Sequence, residues 1–159
     1  MRFICLCFCL FAGSSLAAVV EKTFNPQVTI VKNTPSDSLR ITIEQSDFIS
    51  TYSLSLETFQ PINIPFTVHS INDTPLDYTI KLQDSQHHCR EDGQTERALS
   101  GVRTTLDGVE FAVKGEGVEV SDSKESAHLM YVEFPKVSQI EVEQACYGTF
   151  IVIAEKGVI

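Results

Sequence analysis

Apolar and polar residues alternate along most of this chain, and the alternation stops and restarts at short polar segments bearing Gly, Pro, Asn or Asp. From Phe24 the row Phe24, Pro26, Val28 and Ile30 is interleaved with Asn25, Gln27 and Thr29. A period of two puts such a row on one side of an extended strand. The pattern returns in "LRITIEQ" (Leu39, Ile41, Ile43), in "YSLSLETF" (Tyr52, Leu54, Leu56) and in "INIPFTVHSI" (Ile62, Ile64, Phe66, Val68). In "LDYTIKL" the row is Leu76, Tyr78, Ile80 and Leu82. The short "NDTP" between the last two runs predicts an antiparallel pair joined by a turn. Residues 83–101, "QDSQHHCREDGQTERALSG", break the alternation and read as a polar excursion with a short helical turn in "QTERAL". Strands are expected again in "GVEFAVK", "GVEVSD", "AHLMYVEFP" and "SQIEVEQA", and a final strong one in "YGTFIVIAE".

Many short strands, little that reads as helix and no dividing linker predict one all-β domain. An immunoglobulin-like β-sandwich is the expected architecture, with a small barrel as the structural alternative. The first residues change the picture of what folds. "MRFICLCFCL FAGSSLAA" has Arg2, an apolar run over residues 3–12, and small residues at Ser15 and Ala17. This reads as a secretory signal peptide, residues 1–17 or 1–18, and its apolar run is too short to span a bilayer. Residues 18–31 then form an N-terminal extension ahead of a domain over residues 32–159. Cys5, Cys7 and Cys9 leave with the signal, so Cys89 and Cys146 remain. An even pair in an exported chain predicts a disulfide.

Charge narrows the partners. Twelve basic against 21 acidic residues give a net charge of −9, which makes nucleic acid and anionic membrane surfaces poor partners. Candidate chemistry is thin. His87, His88 and Cys89 invite a metal reading, with His69, His128 or Cys146 completing a shell, but the spacing matches no zinc motif. The expected state is an exposed polar loop beside the disulfide. A Cys–His nucleophile needs a free thiol, and Cys89 has an oxidised partner in prospect. The carboxylates Asp84, Glu91, Asp92 and Glu96, and then Glu110, Glu116, Glu119, Asp122 and Glu125, read as a solvated acidic surface. No catalytic, metal or cofactor site is expected.

The two ends of the chain suggest where function lies. The last strong strand stops just before "KGVI", and the first strand follows the cleavage point. A sandwich lacking its last edge strand exposes backbone donors, acceptors and a hydrophobic cleft, and so invites strand addition. Three segments carry a family resemblance. Val20, Glu21 and Lys22 precede the row Phe24, Pro26, Val28 and Ile30. "FQPINIPFTVHSINDTPLDYTIKLQD" contains Phe59, Val68, His69, Asn72, Asp73 and the strand at residues 80–82. "ACYGTFIVIAEK" contains Tyr147, Gly148, Phe150, Ile151, Val152 and Ile153. Over most of the mature chain these resemble the structural subunits of alternate-chaperone fimbriae of enterotoxigenic enteric bacteria, the CFA/I and CS1 type.

The resemblance implies an incomplete sandwich, completed by donor-strand exchange. The donor strand would carry Phe24, Pro26, Val28 and Ile30, and the acceptor groove would be lined partly by Phe150, Ile151, Val152 and Ile153. It implies a periplasmic chaperone, an outer-membrane usher, other fimbrial subunits and a tip adhesin as partners. The subunit would end in the fimbrium on the cell surface, supporting adhesion without catalysis or cofactor. The alternative is a self-complete secreted or periplasmic binding protein or adhesin, with an enzyme or enzyme inhibitor as a third reading. What separates the first two is whether residues 20–31 pair with their own sheet or with another copy.

Overall fold

Backbone hydrogen bonding sorts the alternating segments into two sheets. The computed structural model describes residues 38–91, 93–138 and 144–156, together with the backbone pairing of residues 23–30. The expected signal peptide lies outside the described residues. The strands are β1 (Thr23–Ile30), β2 (Leu39–Thr42), β3 (Ser50–Ser53), β4 (Thr58–Phe59), β5 (Ile62–Ser70) and β6 (Leu76–Glu91). They continue as β7 (Arg97–Ala98), β8 (Arg103–Leu106), β9 (Val109–Glu110), β10 (Val118–Ser123), β11 (Glu125–Glu133) and β12 (Gln144–Lys156). One sheet runs β10-β6-β12-β1-β3-β4, with β7 also on β6, and the other runs β2-β5-β11-β8-β9. The described residues contain no helix.

The alternating rows explain why the two sheets face each other. Ile62, Ile64, Phe66 and Val68 of β5 and Met130 and Val132 of β11 are buried on one side of the core. Tyr78, Ile80 and Leu82 of β6 and Phe150, Val152 and Ala154 of β12 are buried on the other, in the same apolar cluster. This is the all-β sandwich expected from the sequence. Cys89 and Cys146 stand directly opposite each other in the β6–β12 ladder and form the expected disulfide, 57 residues apart in sequence.

Several expected elements differ. The "NDTP" connection does not close a hairpin: β5 pairs with β2 and β11, whereas β6 pairs with β7, β10 and β12. The chain crosses there from one sheet to the other, so the two runs meet through side chains across the core. "YSLSLETF" is not one strand. It is a tight hairpin of β3 and β4 that leaves Leu54 and Leu56 exposed at its turn and buries Tyr52 and Phe59.

The polar excursion is strand as far as Glu91, and "QTERAL" supplies β7 rather than a helical turn. Its alternation is disguised by a bulge. Ile151 and Val152 are consecutive on β12, yet their partners on β6 are Asp84 and Leu82, so Gln83 is the extra residue. Inward positions therefore switch from Tyr78, Ile80 and Leu82 to His87 and Cys89. In "GVEFAVK" the strand β9 is only Val109–Glu110, followed by buried Phe111 and a single bridge from Val113 to Leu82. Of "SQIEVEQA", residues 139–143 lie outside the described residues, and Gln144 and Ala145 belong to β12.

Candidate functional site

The N-terminal strand lies between two strands of its own domain. β1 runs parallel to β12, with Phe24 level with Cys146, Pro26 with Gly148, Val28 with Phe150 and Ile30 with Val152. Its first residues also pair antiparallel with β3, Thr23 with Thr51 and Phe24 with Ser50. Among the described residues β1 is the link between β12 and the β3–β4 hairpin. Taken away, it would leave a strand-wide slot, with unpaired backbone on the facing edges of β12 and β3. That is the kind of edge to which strands add.

The walls of the slot differ in character. β12 is held on its far edge by β6 from Gln144 to Lys156 and by the disulfide. Of the residues expected to line an acceptor groove, Phe150 and Val152 lie in the core cluster with 0% and 1% exposure. Ile151 is half-buried, and Ile153 is buried on the opposite row. Only the first pair therefore belongs to the surface shared with the facing sheet. The β3 wall went unread in the sequence, because Tyr52, Leu54 and Leu56 suggested one continuous strand. Pro26 falls beyond the short β3 ladder, where β1 has one described neighbour. A strand paired along one edge tolerates a missing donor.

Gly148 has a packing role in this wall. A Cβ built there would lie 2.0 Å from His87 Nδ1 and 2.7 Å from the Gln86 carbonyl oxygen. The His87 imidazole occupies that space, 4.7 Å between ring centres from Phe150, with Nε2 at 2.7 Å from Ser85 Oγ. Gly148→Ala is expected to cost about 1–3 kcal/mol by overpacking. Thermal unfolding of Gly148→Ala, His87→Ala and the double variant should show a recovery when the ring is also removed.

His87 is thus no part of an exposed loop. It is 5% exposed, and its pKa is pushed down to about 4, first by burial and next by the neighbouring His88, with Asp84 opposing. The folded state therefore holds the imidazole neutral, while the unfolded chain takes up the proton near the ordinary value of about 6.5. The contribution to stability is complete above about pH 6.5 and is lost as pH falls toward 4, by about 3 kcal/mol at most. In urea titrations from pH 7 to pH 4, the stability advantage of the wild-type chain over His87→Gln should shrink across that window.

A second polar chain, buried at Tyr78 and His128 and reaching the surface at Asp107, joins the sheets at the other end of β6. The Tyr78 hydroxyl meets Ser126 Oγ, which lies 2.6 Å from His128 Nε2, and His128 Nδ1 lies 2.7 Å from Asp107 Oδ2. Asp107 Oδ1 also accepts from the Leu129 amide at 2.8 Å. The order Asp–His–Ser is that of an activated nucleophile. Here, however, the far side of Ser126 is taken by the hydroxyl of buried Tyr78, which commits it to bridging the sheets. Among the described residues no three His, Cys, Asp or Glu side chains converge as metal ligands. The carboxylates Glu110, Glu116, Glu119, Asp122 and Glu125 are exposed.

The chain is similar to a solved pilin subunit. That structure is the CooA pilin subunit from enterotoxigenic Escherichia coli, with a TM-score of 0.42 and 11% identity. The match covers 77% of this chain and 99% of the pilin. The likeness is loose. No protein-family model and no curated protein matches the chain.

Proposed function

We propose that this chain is a structural subunit of a chaperone–usher fimbria that polymerises by placing β1 in the slot of a neighbouring copy. The observation that carries this reading is the position of β1. An N-terminal strand bridges β12 and β3, and no other described strand joins those two edges. The same strand offered to a second copy makes a head-to-tail contact, which extends into a fibre instead of closing. In this reading a periplasmic chaperone holds the slot before assembly, an usher exchanges the strands, and the fibre presents a tip adhesin.

The test is the size distribution of the exported full-length chain beside that of Phe24→Asp/Val28→Asp. The wild-type chain should give a concentration-dependent series of multiples. The variant should remain monomeric, with its strand-rich circular dichroism retained. A wild-type chain that stays monomeric at every concentration, alone and with chaperone and usher, would overturn the reading.

One observation favours the self-complete binding protein or adhesin instead. β1 pairs within its own domain from Phe24 to Ile30. That reading expects a permanent monomer, so the same sizing experiment separates the two.

A further inference from the structure

A pocket of about 250 Å³ lies at the β2 edge of the second sheet, lined by Arg40, Thr42, His69, Ser70 and Ile71. Alternation puts these side chains there. Leu39 and Ile41 of β2 and Phe66 and Val68 of β5 pack on the core, so Arg40, Thr42 and His69 fall on the outer face. Arg40 and His69 stand directly opposite each other in the β2–β5 ladder. Such cross-strand partners hold their Cβ atoms about 4.5–5.5 Å apart, close enough for both side chains to reach one ligand. On its other side His69 is level with Glu125, and its Nδ1 lies 3.5 Å from Glu125 Oε2, which leaves Nε2.

Charge and hydrogen bonding mark the pocket as a place for an anion. Arg40 joins no ion pair among the described residues, whereas Lys81, Arg97, Arg103, Lys124 and Lys136 each have a carboxylate partner. Ser70 Oγ is buried without a hydrogen-bond partner. A hydroxyl so placed can turn to a ligand without giving up a bond. A guanidinium, an imidazole and the hydroxyls of Thr42 and Ser70 are all able to donate. The net charge of −9 acts against any anion, but screening shortens the reach of exposed charges to about 8 Å at physiological ionic strength.

The surroundings also select the kind of anion. Glu125 beside His69 repels a second negative charge, which favours a monoanion over a phosphate dianion. The planar fork of Arg40 matches a carboxylate in bidentate geometry. The volume is below the roughly 300–1,000 Å³ of drug-sized sites, so the occupant is small. Ile71, 40% exposed, supplies an apolar lip.

We propose that this pocket binds a small organic monocarboxylate. The carboxylate lies against Arg40, with His69, Thr42 and Ser70 as further donors, and a short apolar body rests on Ile71. The pocket belongs to the second sheet, whereas β1, β3 and β12 belong to the first. The inference therefore stands or fails separately from the fimbrial reading.

The experiment is a saturation-transfer NMR titration of the full chain with isovalerate at constant ionic strength. Isovaleramide and inorganic phosphate are the comparison probes. Isovalerate should bind with a millimolar Kd, and the neutral amide at least about tenfold more weakly. Arg40→Gln should weaken isovalerate binding at least about tenfold, and Ser70→Ala about threefold, both with a cooperative melt retained. Arg103→Gln, which removes an arginine from β8, should bind as the wild-type chain does.

An isovalerate Kd above about 50 mM overturns the site. So does an amide that binds as well as the acid, a comparison made on the wild-type chain and independent of any variant's folding. Equal losses in Arg40→Gln and Arg103→Gln would reveal a general charge effect and overturn it too. Phosphate binding tighter than isovalerate overturns the choice of a monocarboxylate, and unchanged binding by Ser70→Ala overturns the donor role of Ser70.

Discussion

Val152→Asp is expected to abolish cooperative folding, at a cost above about 4 kcal/mol, because it places an unpaired carboxylate in the apolar core. Val152 is 1% exposed and stands level with Leu82 on β6 and Ile30 on β1, at the middle of the first sheet. Protonation would relieve part of the cost, leaving a neutral but unsatisfied carboxyl group. Val152→Ala at the same site removes apolar volume without adding a charge, and should cost about 1–3 kcal/mol while leaving a cooperative domain. Urea denaturation and the yield of folded protein distinguish the two. If Val152→Asp melts cooperatively within a few degrees of the wild-type chain, the even-numbered row of β12 does not face the core as described.

Loss of the disulfide is the other large effect. Cys89→Ala/Cys146→Ala is expected to lower stability by about 4 kcal/mol, from the chain entropy released when a 57-residue loop is opened in the unfolded state. Both sulfurs are buried, at 4% and 2% residue exposure, so the alanines also forfeit core contacts. The bond fastens β6 to β12 beside the position where β1 begins its pairing, Phe24 being level with Cys146. Thiol labelling under denaturing, non-reducing conditions, read by peptide mapping, should find neither Cys89 nor Cys146 of the wild-type chain reactive. Reactive thiols at both Cys89 and Cys146 would remove the basis of the prediction.

Much of the fold could be read from residues alone, for a simple reason. A strand with one face on a core must alternate, and Ile62, Ile64, Phe66 and Val68 can satisfy that pattern in few other ways. The disulfide was equally legible, since reading the first residues as a signal peptide leaves two cysteines, which have one possible intramolecular pairing. The resemblance to fimbrial subunits pointed to β1 and β12, which the structure does bring together. The β3 wall was missed because Tyr52, Leu54 and Leu56 alternate as a strand would. The turn that exposes Leu54 and Leu56 is set by Tyr52 and Phe59 packing together and by Thr58 and Glu57 bonding to residues 134–137.

Three matters were decided by tertiary structure. The alternation of β5 and β6 fixed that each has a buried face. It could not say whether they are joined by hydrogen bonds or stacked across the core, because both arrangements require the same period of two. The strand at His87 and Cys89 was hidden because one extra residue, Gln83, reverses inward and outward positions, and a reading by period takes that reversal for a loop. The place of β1 was the third. Its own residues determine that it is a strand with one apolar row, but every open edge offers the same backbone donors and acceptors. Its partner is therefore fixed by which edges the rest of the fold leaves open, here those of β12 and β3.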